Sequence, residues 1–153
     1  MSDEVVCMFP HSKDEFVNFD DLRHWLVGDL FEKEKGRYLL KKLGYRDKGF
    51  IEKVIPESLV LFRMRRTRDI IVGEGVVEKC IEKYDPPIHG FTGTGKPMDY
   101  HYGIKFKPKS ICLYDLPVSD LKEWSGRSFL RGYVILGSRQ VFEQVFSSRR
   151  LST

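Results

Sequence analysis

The chain has few cysteines, and they lack the spacing of either disulfide frameworks or zinc sites. Cys7, Cys80 and Cys112 are isolated in sequence, without a CxxC pair or a neighbouring histidine. An odd number of such residues argues against both kinds of site. We therefore predict free thiols in a reducing compartment, the cytoplasm.

The chain also lacks a long hydrophobic run. Apolar runs such as residues 58–62 and 70–72 are far shorter than the roughly 20 residues that a membrane helix needs. The N-terminus has no basic stretch followed by an apolar one, as a secretory signal would have. We predict that the chain does not associate with a membrane.

Catalytic and metal-binding patterns are likewise missing. The four histidines are not spaced as metal ligands on one helix, and no nucleophile elbow is present. Residues 90–96, GFTGTGK, match the phosphate-binding GxxxxGK pattern, but Pro97 stands where a hydroxyl must hold magnesium. We interpret this motif as a flexible glycine loop, and predict no catalytic residue, no metal and no cofactor.

Positive charge is concentrated in two parts of the chain. The 153 residues carry a formal net charge of +4, and residues 101–153 hold nine Lys/Arg against four Asp/Glu. Arg63, Arg65, Arg66 and Arg68 form a second basic group. This asymmetry suits a polyanionic partner, although a solvated basic face explains it equally well.

Hydrophobic spacing predicts the elements of the N-terminal half. Residues 5–9 read as a buried strand, and apolar residues from Leu22 to Leu43 have helical spacing, with Gly28 and Gly36 as breaks. From residue 57 the pattern alternates, which predicts strands over 59–64 and 70–79 joined by a hairpin whose basic tip carries Arg65, Arg66 and Arg68.

The C-terminal half is predicted to continue the sheet after a long loop. Residues 84–99 contain three prolines and three glycines, which is typical of a surface loop. Strands are predicted over 100–107, 111–116 and 131–136, with a helical turn at 118–124. Ser138 begins a last helix, whose inward residues are predicted to be Val141, Phe142, Val145 and Phe146.

This order of elements predicts an α+β fold, a small β-barrel with flanking helices. We expect one domain over residues 1–147, followed at 148–153 by a polar tail or the start of a linker.

Several aromatic residues lie among proline, glycine and charged neighbours, where burial is not the rule. Trp25, Phe91, Tyr100 and Tyr102 belong to this group. Aromatic faces beside Arg and Lys can stack a nucleic-acid base and hold its phosphates. Ordinary core packing is the alternative, and the sequence does not decide between them.

From residue 57 onward the chain resembles the PUA-like superfamily, which includes the EVE, YTH and ASCH domains. The resemblance is carried by KVIPESLVLFRM, IIVGEGVVEK, YHYGIKFKPKSICLYDLPVSDLKEW and RGYVILGSRQVFEQVF, and EVE is the closest in element order. Glu57 and Ser58 replace the Gly-Asp of the family, and residues 28–48 form a longer stretch than the family has.

The resemblance implies a module that reads nucleic acid, DNA or RNA. YTH domains bind N6-methyladenine in an aromatic cage, EVE-like domains are thought to read modified bases, and related domains form the DNA-reading part of McrBC-type modification-dependent restriction systems. We therefore expect a modified or flipped-out base in a pocket, with Trp25 as one wall and Phe91, Tyr100 or Tyr102 as another. An N-terminal domain of that kind would be fused to or associated with a motor domain.

Basic side chains are expected to hold the nucleic-acid backbone. The residues predicted for this role are Arg63, Arg65, Arg66, Arg68, Lys105, Lys107 and Arg131. Two alternatives stay open. One is a small ASCH-like hydrolase acting on modified nucleosides or RNA, with Lys96, His101, Lys105 or Glu74 around the substrate. The other is a protein-interaction domain that docks through its aromatic patch.

Overall fold

The computed structural model describes residues 4–13, 15–41 and 48–151, and within them a seven-stranded sheet is packed between short helices. The strands are β1 (Val5–His11), β2 (Arg37–Leu40), β3 (Leu59–Arg65), β4 (Asp69–Phe91), β5 (Pro97–Phe106), β6 (Cys112–Pro117) and β7 (Val134–Ser138). The helices are α1 (Phe19–Val27), α2 (Asp29–Glu32), α3 (Lys48–Lys53), α4 (Val118–Ser125) and α5 (Arg139–Phe146), followed by a 3-10 turn at Ser147–Arg149. In this part of the chain, no helix is long and apolar enough to cross a membrane.

Strand β4 organises the sheet. Its first part pairs with β3 and β6, and its later part pairs with β5. The full order is β2-β5-β4-β3-β1-β7, in which β1 and β3 are parallel and the other pairs are antiparallel. Among the described strands this path is not closed into a ring, so the mixed α+β fold is confirmed while a small barrel stays a prediction.

The sheet has a hydrophobic core on each face. Along β1, Cys7 and Phe9 point into a core covered by α1, α2 and α3, whereas Val6 and Met8 point into a core covered by α4 and α5. Side chains alternate between the two faces of a strand, so a strand buried on both faces has no polar positions. This explains why residues 5–9 form a continuous apolar run.

The predicted β3–β4 hairpin is confirmed. Arg65 pairs with Asp69, and the Arg66 amide donates to the Arg68 carbonyl at 2.8 Å, which closes the turn. The side chains of Arg65, Arg66 and Arg68 are exposed at this tip.

The helical prediction for residues 37–40 is wrong, because this segment is strand β2. Gly36, with φ of +87°, turns the chain after α2, and its carbonyl accepts a hydrogen bond from the Phe106 amide at 2.8 Å. Tyr38 and Leu40 are then buried alternately, which is strand spacing. The predicted helical position Leu43 lies outside the described residues.

The loop predicted over residues 84–99 is also wrong. Strand β4 continues to Phe91 and β5 begins at Pro97, so the two strands form a long hairpin, here called the arm. Its tip is the turn 92–96, in which the Thr92 amide donates to the Lys96 carbonyl at 2.8 Å. Pro86 and Pro87 fall where the pairing shifts register, and a residue without an amide hydrogen is tolerated at such a position.

The C-terminal segment differs from the predicted tail. Residues 148–151 lie against β6, since Arg150 forms a bridge with Tyr114 and the Leu151 amide donates to the Leu113 carbonyl at 2.8 Å. Residues 152–153 lie outside the described part.

On α5, Phe142 and Phe146 are buried as predicted, but Val141 and Val145 are exposed. The helix is short and rests on one side of the sheet, so only a narrow stripe of it faces the core.

Candidate functional site

A cavity of about 350 Å³ opens between the arm, β2, α1 and the segment after β1. It is here called the aromatic cavity, because six aromatic side chains line it: Phe16, Trp25, Tyr38, Phe91, Tyr100 and Tyr133.

Helix α1 presents Trp25 to the aromatic cavity. The Asn18 side chain begins this helix by accepting a hydrogen bond from the Asp21 amide at 2.9 Å. Leu22 and Leu26 are buried beneath α1, and the half-buried indole of Trp25 meets the ring of Tyr38 edge-on at 5.7 Å. The indole therefore has one packed edge and one side that faces the cavity.

The arm supplies the opposite wall. The Tyr100 hydroxyl donates to the Phe91 carbonyl at 3.0 Å and ties the two strands together near the tip. Gly90 lies under the Tyr100 ring, where an added Cβ would come within 3.2 Å of a ring carbon. The Phe91 ring is 70% exposed, which leaves it free to contact a ligand.

The glycine-rich motif forms the end of β4 and the short turn at the tip of this arm, instead of part of a long loop. A Cβ at Gly93 would stand 2.2 Å from the Glu15 carbonyl oxygen, so only glycine allows the tip to rest against the segment after β1. Gly95 has φ of +88°, as the turn requires. The motif joins two strands instead of a strand and a helix, which removes the structural context of a phosphate-binding loop.

The floor of the aromatic cavity is neutral and hydrogen-bonded. The Tyr38 hydroxyl donates to His11 Nε2, and His11 Nδ1 donates to the Arg63 carbonyl at 3.0 Å. Burial lowers the pKa of His11, and the carboxylate of Glu15 offsets only part of this. Burial, followed by the charge of Glu15, raises the pKa of Tyr38. Both groups are therefore uncharged at neutral pH.

Charged side chains lie at the sides of the cavity. Glu15, Glu34, Arg37 and Lys41 all line it, and Lys41 Nζ lies 2.8 Å from Glu15 Oε1. Partial burial raises the pKa of Tyr100, and the charges of Glu15 and Glu34 raise it further. The walls thus combine apolar rings with groups that can bind the polar edge of a ligand.

The structure brings together three of the four residues predicted for a base pocket. Trp25, Phe91 and Tyr100 line one cavity, whereas Tyr102 packs against the hydrophobic core. In a regular strand, Tyr100 and Tyr102 would share one face. The pairing shifts register between their partners on β4, so the arm does not continue as a regular strand across the two tyrosines.

Of the six aromatic residues in the cavity, sequence reasoning missed three, Phe16, Tyr38 and Tyr133. They lie on separate segments, and no local pattern connects them. Tyr38 was missed because residues 37–40 were assigned to a helix, and strand spacing at Tyr38 and Leu40 was the signal that could have corrected it.

A shallow basic groove of about 520 Å³ lies beside the aromatic cavity. Lys13, Arg65 and Arg66 line it, together with His11 at its base. The His11 ring also contacts two cavity residues, Phe16 and Tyr38, at centroid distances of 5.8 and 5.7 Å. The groove and the cavity are therefore neighbours that share the segment after β1.

Arg63 does not belong to this basic surface. Its guanidinium forms two hydrogen bonds with the Asp69 carboxylate, at 2.8 and 2.6 Å, and a third with the Leu130 carbonyl. The side chain is only 12% exposed. We correct its predicted role, because these contacts hold the chain together and leave the charge inaccessible to a phosphate.

The other predicted cations have partners elsewhere. Arg68 lies 2.8 Å from Asp115, and Lys105 lies 3.3 Å from Glu78. Lys107 pairs with Glu57, and the Arg131 guanidinium lies 5.8 Å from the ring of the exposed Phe129. None of these four cations lines the aromatic cavity or the basic groove.

The structure does not assemble the residues considered for a hydrolase. Glu74 is 2% exposed and accepts hydrogen bonds from the Tyr114 hydroxyl and from Arg150 Nε at 2.9 Å. Glu74, Lys96, His101 and Lys105 are all absent from the lining of the aromatic cavity. Within residues 4–13, 15–41 and 48–151, no group of three His, Cys, Asp or Glu side chains is placed to hold a metal ion.

Comparisons with known proteins give only a distant likeness. No family model matches the chain, and no curated protein matches it. It is similar to a solved structure described as a hypothetical protein from Leishmania major, with 14% sequence identity and a TM-score of 0.44, over 78% of this chain and 74% of the other.

Proposed function

We propose that this chain binds nucleic acid and holds one base, modified or flipped out, in the aromatic cavity. The observation that carries the proposal is the meeting of Trp25, Phe91 and Tyr100 around one cavity that adjoins the basic groove.

The size and lining of the cavity suit a base. Its volume of about 350 Å³ lies within the range of small-molecule sites, and aromatic rings form both of its walls. A base taken out of its stack needs flat side chains on which to stack and polar groups along its edge. Trp25 and Phe91 supply the first requirement, and Glu34 and Arg37 supply the second.

The basic groove suits the backbone that continues from the bound base. Lys13, Arg65 and Arg66 are exposed, and the described part of the chain gives none of them an ion-pair partner. Phosphate contacts of this kind give affinity without selecting a sequence. The base would therefore be chosen in the cavity, and the strand would be held in the groove.

The resemblance to PUA-like domains of the EVE and YTH type is part of the same proposal. It includes closure of the sheet into a small barrel, association with a motor domain as in restriction systems, and a cytoplasmic location. The dispersed positions of Glu74, Lys96, His101 and Lys105 favour binding over hydrolysis.

The test is a binding screen with two matched variants. Oligonucleotides of DNA and RNA, single- and double-stranded, with and without methylated adenine and cytosine, are titrated at two salt concentrations. Phe91→Ala removes an exposed cavity ring, and Phe129→Ala removes a ring of similar exposure, 74%, outside the cavity.

We expect Phe91→Ala to lower the affinity for the preferred oligonucleotide by about tenfold or more, since one stacked ring contributes about 1–3 kcal/mol. Phe129→Ala should keep the wild-type preference among bases. Equal loss in both variants, or no oligonucleotide binding by the wild type, contradicts the proposal.

A further inference from the structure

Two carboxylates stand among the rings of the aromatic cavity. Glu15 and Glu34 both line it, and in the described part of the chain Glu34 has no ion-pair partner. An aromatic ring presents its negative face to a ligand, so rings and carboxylates together favour a positive charge between them.

Two cations also line the cavity, so the position of each charge matters. Lys41 is bonded to Glu15, and Arg37 is exposed on β2. The hydroxyls of Tyr38 and Tyr100 report the local field. Burial is the largest cause of the raised pKa of both phenols. The charges that raise it further are Glu15, Tyr133 and Tyr100 at Tyr38, and Glu15 and Glu34 at Tyr100. Beside these two hydroxyls, the field of the carboxylates therefore outweighs that of Lys41 and Arg37.

We infer that the aromatic cavity selects a methylated base that carries a positive charge, such as 1-methyladenine or 3-methylcytosine. This inference rests on the proposed function and narrows its ligand class. Methylation at a ring nitrogen leaves these bases protonated and cationic at neutral pH, whereas methylation at an exocyclic nitrogen or at carbon leaves the base neutral. A cationic ring stacked between Trp25 and Phe91 gains both the stacking and the cation–π attraction.

A methylated lysine side chain also fits an aromatic cage. The basic groove decides against it, because Lys13, Arg65 and Arg66 in this neighbouring groove repel a basic peptide and attract phosphates. The net charge of +4 acts in the same direction. The occupant is therefore a cationic base within a polyanionic chain.

The test compares isomers that differ in charge but not in mass. 1-Methyladenosine is titrated against N6-methyladenosine, and 3-methylcytidine against 5-methylcytidine, at pH 7. Each titration uses the wild type, Glu34→Gln and Glu32→Gln. The two glutamates are close in sequence, but Glu32 is exposed on α2 and does not line the cavity.

We expect the wild type to bind the cationic isomers about tenfold more tightly than the neutral ones. Glu34→Gln should weaken the binding of the cationic isomers by about threefold to fivefold and leave the neutral isomers unchanged, and Glu32→Gln should match the wild type. Glu15 is not used, because replacing it would also release Lys41.

The outcomes separate this inference from the proposed function. If neutral isomers bind as tightly as cationic ones, or if Glu34→Gln affects both equally, the cation preference is wrong while the base-binding site stands. If no nucleoside and no oligonucleotide binds, the proposed function is wrong as well. Tighter binding of a trimethyl-lysine peptide than of any nucleoside overturns the assignment of a base.

Discussion

The four arginines around the β3–β4 hairpin lie in different environments, although they are within six residues of sequence. Arg63 alternates with the buried Phe62 and Met64 on β3, and its charge is held by Asp69. Arg65 and Arg66 lie beyond the last buried residue of the strand and face solvent. Their chemistry is the same, and the position along the strand decides which one stabilises the fold.

Arg63→Ala should destabilise the protein without acting directly on the base. Its removal leaves the Asp69 carboxylate and the Leu130 carbonyl without their donor, and both partners of the ion pair are mostly buried. We expect the free energy of unfolding to fall by about 2–3 kcal/mol in urea denaturation. A fully stable variant that has lost oligonucleotide binding would show that Arg63 contacts phosphate after all.

His11 should make stability depend on pH. Burial lowers its pKa in the folded state, so the unfolded chain takes up this proton at a higher pH than the folded chain does. The contribution of neutral His11 to the free energy of unfolding is fully present above the unfolded pKa of about 6.5. It is lost as the pH falls through the pKa of His11 in the folded chain.

The measurement is urea unfolding at pH 7.5 and at pH 5.5. We expect the wild type to lose more stability than His11→Gln does when the pH falls from 7.5 to 5.5. The control, His24→Gln, changes an exposed residue of α1 and should lose as much stability as the wild type. An equal loss in all three would mean that His11 has the same pKa in the folded and the unfolded chain, which contradicts the shift.

At the scale of elements, the arm determines whether a cavity exists. Its tip reaches the segment after β1 through Gly93, and without that contact Phe91 and Tyr100 would have no fixed position opposite Trp25. The glycines of the motif are therefore needed for close packing and turn geometry, and the arm positions the wall that a ligand would contact.

Gly93→Ala should weaken ligand binding through the position of the arm. The new Cβ meets the backbone oxygen of Glu15, which cannot move aside as the end of a side chain would, so the tip must lift. We expect nucleoside affinity to fall by about tenfold, as for the loss of one stacked ring.

Gly49→Ala is the control, because a Cβ at Gly49 meets open space. Unchanged affinity in Gly93→Ala, measured by calorimetry alongside this control, would show that the tip is not needed for the site.

The accuracy of the sequence prediction differed between elements for physical reasons. Where local spacing and burial agree, as in β1, the β3–β4 hairpin and α4, the prediction was correct. The prediction failed at β2, where pairing with β5 overrides a local helical pattern. It also failed at the arm, where pairing between β4 and β5 overrides a high proline and glycine content. Trp25, Phe91 and Tyr100 could be singled out by their polar neighbours, but Phe16 and Tyr133 reach the cavity only through the tertiary fold.

At the scale of the whole molecule, the two faces of the sheet are unequal. One face carries the aromatic cavity and the basic groove, and the other is covered by α4, α5 and a buried ion-pair network at Glu74 and Arg150. Arg149 pairs with Asp120 on α4, which covers the second face, and Arg127 follows the same helix; neither of them lines the groove. Under the proposed function, the position of a basic residue therefore matters more than its charge alone.

The double variant Arg65→Ala and Arg66→Ala should weaken oligonucleotide binding for every sequence. Losing two phosphate contacts should also flatten the slope of log affinity against log salt concentration by about 1.5–2. The matched control is Arg127→Ala with Arg149→Ala, which changes the net charge equally at residues that do not line the groove. If both pairs have the same effect, binding depends on net charge and the groove is not a site.

The central claim, that a base enters between Trp25 and the arm, is tested most directly by the fluorescence of Trp25. The chain has two tryptophans, and Trp124 packs against Phe142 and Phe146 on the far side of the sheet. Trp124→Phe therefore leaves one reporter in the cavity. Titration of this variant with 1-methyladenosine should change the Trp25 emission saturably, and Phe91→Ala should shift that titration to higher concentration. Oligonucleotide binding that leaves the Trp25 emission unchanged would contradict the claim, because the base would then be held elsewhere.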